Sequence, residues 1–120
     1  MAAVRSTTPP PEPLKPGALL LLIALAAGDR HAYALRKDIS ERSDGAVRLG
    51  PASLYRTIAA LLEDRLIEES GRRPTPELDD ERRRYYRITE RGRKALRAET
   101  ERLEALAAAA RAAMIVRAKP

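Results

Sequence analysis

The 120-residue chain has no cysteine, no tryptophan and no phenylalanine, and His31 is its single histidine. Without cysteine there is neither a disulfide framework nor a thiolate metal site, so the fold does not depend on the redox state of its surroundings. One histidine assembles neither a metal cluster nor a nucleophile–base pair, and the neighbouring acids Asp79 and Asp80 fall in a loop rather than on a rigid scaffold. The expectation is a protein that is not an enzyme and takes no metal or cofactor. Four tyrosines are the whole aromatic complement, too few for the stacking platforms that bind single-stranded nucleic acid. Apolar runs are also short. The longest, residues 18–27 (ALLLLIALAA), is well below the ~20 residues of a membrane span. It imitates the core of a signal peptide, but the stretch before it is proline-rich, contains Glu12 and has few cations. No membrane association is expected, and the cytoplasm is the expected location.

Positive charge is present instead. The chain has 23 Lys+Arg against 17 Asp+Glu, a net charge of +6, and residues 45–97 carry a surplus of four of those charges, 13 cations against 9 anions. A basic chain suits a polyanionic partner, and the position of the surplus directs attention to its middle. The length sets a single domain with a modest core.

Residues 47–67, VRLGPASLYRTIAALLEDRLI, organise the rest. A helix opened by Pro51 and reaching Arg65 places Leu54, Ile58, Leu61 and Leu62 on one stripe, at i, i+4, i+7 and i+8. Its other face carries Ala52, Ser53, Arg56, Ala59, Ala60 and Glu63, mostly small residues with one long cation, a surface that a major groove admits. Before it come the apolar helix of residues 18–27, ended by Gly28, and a helix over residues 31–44. In the latter, Ala32, Leu35 and Ile39 form the apolar stripe with Tyr33 at its edge, while Arg36, Lys37, Asp38, Glu41 and Arg42 face water. Asp29 is its expected N-cap, His31 a surface residue of its first turn, and residues 47–49 a short strand. After the central helix, residues 66–70 and 84–88 read as antiparallel strands around a long loop that holds Gly71, Pro74 and Pro76. Arg72 and Arg73 flank one base of that loop and Arg82, Arg83 and Arg84 the other, with Glu77, Asp79, Asp80 and Glu81 between them. Two readings stay open: a solvated, internally paired loop, or a wing whose arginines grip phosphates or enter a minor groove. Two helices, a third with a small-residue face and an arginine-rich hairpin follow the order of a winged helix.

The ends frame this core. Residues 1–14 contain four prolines and no apolar periodicity, so a disordered tail is expected, with the winged helix over residues 15–88. A last helix, capped by Thr89, runs alanine-rich over residues 89–114, leaving a tail at 115–120. Leu96, Leu103 and Ala110 are seven apart, as are Leu106 and Ala113, with Glu99, Arg102 and Arg111 expected on the outer face. Two heptads are too few for an isolated coiled coil. The seam therefore needs a partner, and the expected one is a second copy, joined through this helix together with Leu20 and Ile23 of the first. The fold class is mainly α with a small β-hairpin: a winged helix-turn-helix plus a C-terminal dimerisation helix.

Four stretches in this order and spacing carry a family resemblance: His31-Ala32-Tyr33-Ala34-Leu35, residues 50–56 (GPASLYR), residues 61–67 (LLEDRLI) and residues 84–92 (RYYRITERG). Over about residues 16–112 the chain resembles the PadR family of winged-helix transcriptional regulators, in the short form with a single C-terminal dimerisation helix. It departs from the family's usual glycine at Ala32 and Arg65. The resemblance implies a homodimeric repressor on a pseudo-palindromic operator in double-stranded DNA. Ser53, Tyr55 and Arg56 match the family's DNA-contacting region, Arg56 for a base edge or phosphate and the other two for phosphates. Some members bind planar aromatic compounds between subunits, but this chain lacks Trp and Phe to stack on them, so a small-molecule effector is left unidentified. The alternative is a winged-helix module that holds a protein partner without specific DNA binding.

Overall fold

The computed structural model describes residues 12–70 and 84–118. Its elements are α1 (Pro16–Ala27), β1 (Arg30–His31), α2 (Ala32–Arg42), α3 (Pro51–Glu63), β2 (Ile67–Glu69), β3 (Tyr85–Ile88) and α4 (Glu90–Ala118). The strands form one antiparallel sheet in the order β1–β3–β2. The result is a mostly helical winged helix-turn-helix with a long C-terminal helix, as the sequence leads one to expect.

α1 opens on Pro16, whose missing N–H belongs to a turn that leaves such groups unpaired anyway. Leu21, Leu22, Ala24 and Leu25 are all buried, which sinks the helix in the core on most sides, as its unbroken apolar run requires. α2 adds Ala32, Leu35 and Ile39, and α3 adds Leu54, Ile58 and Leu61. Leu66, Ile67, Tyr86 and Ile88 of the hairpin close the same core, and Leu62 packs on it half-buried.

The start of α2 differs from expectation. Its N-cap is His31, not Asp29: the imidazole Nδ1 accepts a hydrogen bond from the Ala34 N–H at 3.1 Å. His31 is therefore a half-buried capping residue and not a simple surface residue of the first turn. The sheet causes the shift. Arg30 and His31 are extended and pair with Tyr86 and Tyr85, and the His31 ring meets that of Tyr85 edge-on, centroids 5.4 Å apart. With that edge of β3 occupied, residues 47–49 take no strand. Side chains hold them instead: Ser43 Oγ accepts from the Val47 N–H at 2.9 Å, and Arg36 Nε donates to the Leu49 carbonyl at 3.0 Å. The reversal before them uses left-handed backbone at Asp44 (φ 55°) and Gly45 (φ 80°).

α3 stops at Glu63 rather than Arg65. The Leu66 N–H reaches the Leu61 carbonyl at 2.9 Å and the Arg65 N–H the Leu62 carbonyl at 3.0 Å, a Schellman ending that calls for a left-handed residue, and Arg65 supplies it with φ 61°. The hairpin strands are shorter than residues 66–70 and 84–88; they pair Ile67 with Ile88, Glu68 with Arg87 and Glu69 with Tyr86. Thr89 caps α4 as expected, accepting from the Gly92 N–H at 3.0 Å while donating to the Arg65 carbonyl at 2.7 Å.

α4 runs 29 residues, about 43 Å, and continues beyond the expected end. Glu99 does not face water with Arg111. It is buried, because the Arg102 guanidinium meets both of its oxygens (Nε to Oε1 3.0 Å) and a paired carboxylate tolerates desolvation that a lone one does not.

Candidate nucleic-acid interface

The exposed face of α3 holds Ala52, Arg56, Ala59, Ala60 and Glu63. It is exposed because Leu54, Ile58 and Leu61 occupy the opposite side. Arg56 Nη2 donates to Ser53 Oγ at 3.2 Å, so these two expected contact residues lie together one turn apart, with Ser53 half-buried. Tyr55 is half-buried against the core. The small neighbours leave the Arg56 guanidinium as the tallest group on this face.

Sequence reasoning missed the approach to α3. Arg48 is exposed in the connector from α2, and Arg36 is tied to the Leu49 carbonyl beside the start of α3. The connector is held at Ser43 and Leu49, so Arg48 stands on an organised loop. For Arg48 the sequence carries a signal, a cation just before the Gly50-Pro51 helix start, whereas Arg36 comes to this place only through the packing of α2. Arg36, Arg48 and Arg56 form no ion pair among the described residues.

The stem of the wing is different. Arg87 Nε lies 2.7 Å from Glu68 Oε2 and Arg84 Nη1 3.5 Å from Glu69 Oε2, so each cation there has an acidic neighbour across the strands. Arg72, Arg73, Arg82 and Arg83 lie outside the described residues. The wing expectation can therefore be followed only at Arg84, which is half-buried and paired.

The expected interface residues divide in the same way. Leu20 and Leu96 pack against the chain's own core. Ile23 and Leu103 line a groove of about 360 Å³ between α1 and α4, with Leu19, Thr100, Glu104, Ala107 and Arg111. Leu106 (54% exposed) and Ala110 continue that side of α4 into solvent, joined by Met114 (63%) and Ile115 (56%). Ile115 lies beyond the expected end of the helix at residue 114.

Titration is displaced on α4. The hydrogen bond from Arg102 holds the Glu99 carboxyl below the usual carboxylate range against the opposing effect of its burial, and Glu99 in turn raises the guanidinium of Arg102. No group of His, Asp or Glu that could hold a metal ion occurs among the described residues, and no described helix is long and apolar enough to cross a membrane.

A model of the transcriptional regulator PadR-like family matches residues 20–98. Among solved structures, a transcriptional regulator from Clostridium thermocellum is 27% identical with a TM-score of 0.63, covering 74% of this chain and 83% of its own. A PadR family transcription regulator from Clostridium difficile R20291 is 19% identical with a TM-score of 0.67, covering 83% of this chain and 99% of its own. F93 from STIV, a winged-helix DNA-binding protein, is 20% identical with a TM-score of 0.55, covering 72% and 85%. No curated protein sequence matches the chain.

Proposed function

Because the chain belongs to the PadR-like family of transcriptional regulators, we propose that it works in the cytoplasm as a homodimeric repressor of transcription, bound to a pseudo-palindromic promoter operator and released by a signal, such as a small molecule, not yet identified. The observation that carries this reading is the contrast in charge pairing. Arg36, Arg48 and Arg56 stand unpaired among the described residues around the small-residue face of α3, whereas the wing-stem arginines are matched by Glu68 and Glu69. Unpaired cations around a narrow helix face suit two phosphate backbones with a major groove between them. In this reading Arg56 reaches a base edge or a phosphate, Ser53 and Tyr55 contact phosphates, and Arg36 and Arg48 add phosphate contacts from the helix approach. Arg72, Arg73, Arg82, Arg83 and Arg84 remain candidates for the wing.

Joining two copies through Ile23, Leu103, Leu106 and Ala110 would cover the groove and the apolar side of α4, and two-fold symmetry then places half-sites about one helical turn apart. The test is binding to duplex DNA from the protein's own upstream region beside random duplex, at several salt concentrations. Selective binding that weakens steeply with salt is expected. Equal weak binding to both, or a tight salt-insensitive protein partner, would replace this reading with that of an interaction module. Arg56→Ala is expected to weaken binding to the upstream duplex by about 1–3 kcal/mol if it reads a base; an equal loss on random duplex would make it a phosphate contact.

A further inference from the structure

Residues 43–50 join α2 to α3 without a helix or strand of their own, yet both neighbours of Arg48 are fastened to α2. On one side the Val47 N–H donates to Ser43 Oγ at 2.9 Å; on the other, Arg36 Nε donates to the Leu49 carbonyl at 3.0 Å. Ser43 is the better connected of the two anchors. Its hydroxyl has three carbonyl oxygens within reach, that of Ile39 at 2.9 Å and those of Ser40 and Val47 at 3.2 Å, and its single proton goes to one of them at a time. A serine at a helix end that bonds back to the turn before it is ordinary. The forward bond from Val47 is the addition, because it ties the connector to the end of the helix.

The chain turns back between these residues through left-handed backbone at Asp44 (φ 55°) and Gly45 (φ 80°). The Arg48 guanidinium lies beside that reversal, its Nη2 3.5 Å from where a Cβ on Gly45 would stand. Val47 and Leu49 pack half-buried on the core, while Ala46, Arg48 and Gly50 are exposed. With both of its neighbours turned inward, Arg48 is turned out. A loose connector would have to be ordered when a partner arrives, and that entropy would offset much of what one phosphate contact contributes. Here the ordering is complete on folding.

We propose that Ser43 is a positioning residue for DNA binding: its hydroxyl, together with Arg36, sets the connector in advance, so that Arg48 meets a phosphate without a further ordering cost. The placing of Arg48 rests on the DNA-binding reading above; the bond from Val47 to Ser43 does not. Arg36 is itself among the phosphate contacts of that reading. Ser43 is not, so its substitution isolates the positioning role.

The test uses the full chain with Ser43→Ala, Arg48→Ala and the two combined, beside Ser43→Thr, which keeps the hydroxyl. Ser43→Cys, whose thiol bonds only weakly, takes the place of Ser43→Ala if circular dichroism shows the alanine variant to be unfolded. Exchange of the Val47 amide, followed by NMR, is expected to become roughly tenfold faster in Ser43→Ala and to keep the wild-type rate in Ser43→Thr. Binding is titrated against salt on random-sequence duplex, since a phosphate contact carries no sequence information and needs no operator. Arg48→Ala is expected to reduce the salt slope by about 1. Ser43→Ala is expected to weaken binding roughly fivefold where Arg48 is present and to leave it nearly unchanged where residue 48 is already alanine. Unchanged Val47 exchange in Ser43→Ala, or exchange equally fast in Ser43→Thr, would overturn the role of the hydroxyl. An equal loss of binding with and without Arg48 would overturn the positioning role, because a merely structural contact weakens both chains alike. If the wild type binds no duplex at all, the DNA-binding reading fails and the positioning role with it, while Val47 exchange still decides whether Ser43 holds the connector.

Discussion

Replacing Gly92 by alanine separates local from tertiary control of this fold. Gly92 lies in the first turn of α4, and alanine favours a helix over glycine by about 1 kcal/mol, so propensity alone gives a more stable protein. The surroundings reverse that sign. A Cβ at this position would overlap the Leu66 carbonyl oxygen more closely than Cβ atoms approach backbone, and would lie 2.7 Å from Ile88 Cγ1 and 3.0 Å from the Leu66 carbonyl carbon. Backbone cannot swing aside as the end of a long side chain does, so α4 must move off the sheet. Overpacking of this kind costs about 1–3 kcal/mol, and the upper end applies against backbone. The shift also strains the hydrogen bond from the Thr89 N–H to the Leu66 carbonyl, 3.0 Å long, for about another 1 kcal/mol. Subtracting the propensity gain leaves a net loss of about 3 kcal/mol, or roughly 10–15 °C in Tm for a domain of this size. Circular dichroism melts of the wild type and Gly92→Ala measure it. Gly17→Ala serves as the control, because a Cβ there meets only Leu49 side-chain carbons, 3.4 Å away. A melting temperature for Gly92→Ala at or above that of the wild type would refute the close-approach argument.

Three further outcomes are expected. Arg65→Gly should stabilise the protein by about 1 kcal/mol in urea titration, because Arg65 holds φ 61°, a conformation glycine adopts without the Cβ penalty; a loss would mean the arginine side chain outweighs that penalty. Glu99, with its folded titration lowered chiefly by Arg102, contributes stability that is present above its unfolded value and lost as pH falls through the lowered folded one. The stability difference between the wild type and Glu99→Gln should thus be flat near neutral pH and shrink in acid; a difference independent of pH would refute the assignment. Light scattering should give about twice the 13.3 kDa chain mass for the wild type and move toward the single-chain mass for Leu106→Glu, since a charge at a buried apolar contact disfavours association. A monomeric wild type at micromolar concentration would remove the dimer from the proposed function.

Much of the architecture was legible from local pattern. The 3.6-residue periodicity of Leu54, Ile58, Leu61 and Leu62 marks the inward side of α3, with Leu62 at its half-buried edge, and the continuous run marks α1 as largely buried, because burial of apolar surface is a local demand. Thr89 as a cap and the hairpin after α3 were equally legible, and the glycine of the RYYRITERG junction finds its reason in the carbonyl of Leu66. The candidate site was legible in part: Ser53 and Arg56 share a face, as helical spacing requires. Arg48 is legible only as a cation just before the Gly50-Pro51 helix start, because the strand expected over residues 47–49 is replaced by a connector pinned through Ser43 and Arg36, residues four and 13 positions from the atoms they hold.

The sequence by itself determined the three core helices, the hairpin, the long last helix and the family of regulators, since each follows from spacings of a few residues or from runs read in order. Tertiary structure alone decided which segment completes the sheet and which arginines are paired. Arg30–His31 rather than residues 47–49 lies beside β3, and Arg84 and Arg87 meet acids across strands 15 and 19 residues away in sequence. The physical reason is common to both. Periodicity tells which side of an element avoids water, while the partner of a charge or an edge strand is chosen by contacts between residues far apart in the chain, which no local window contains.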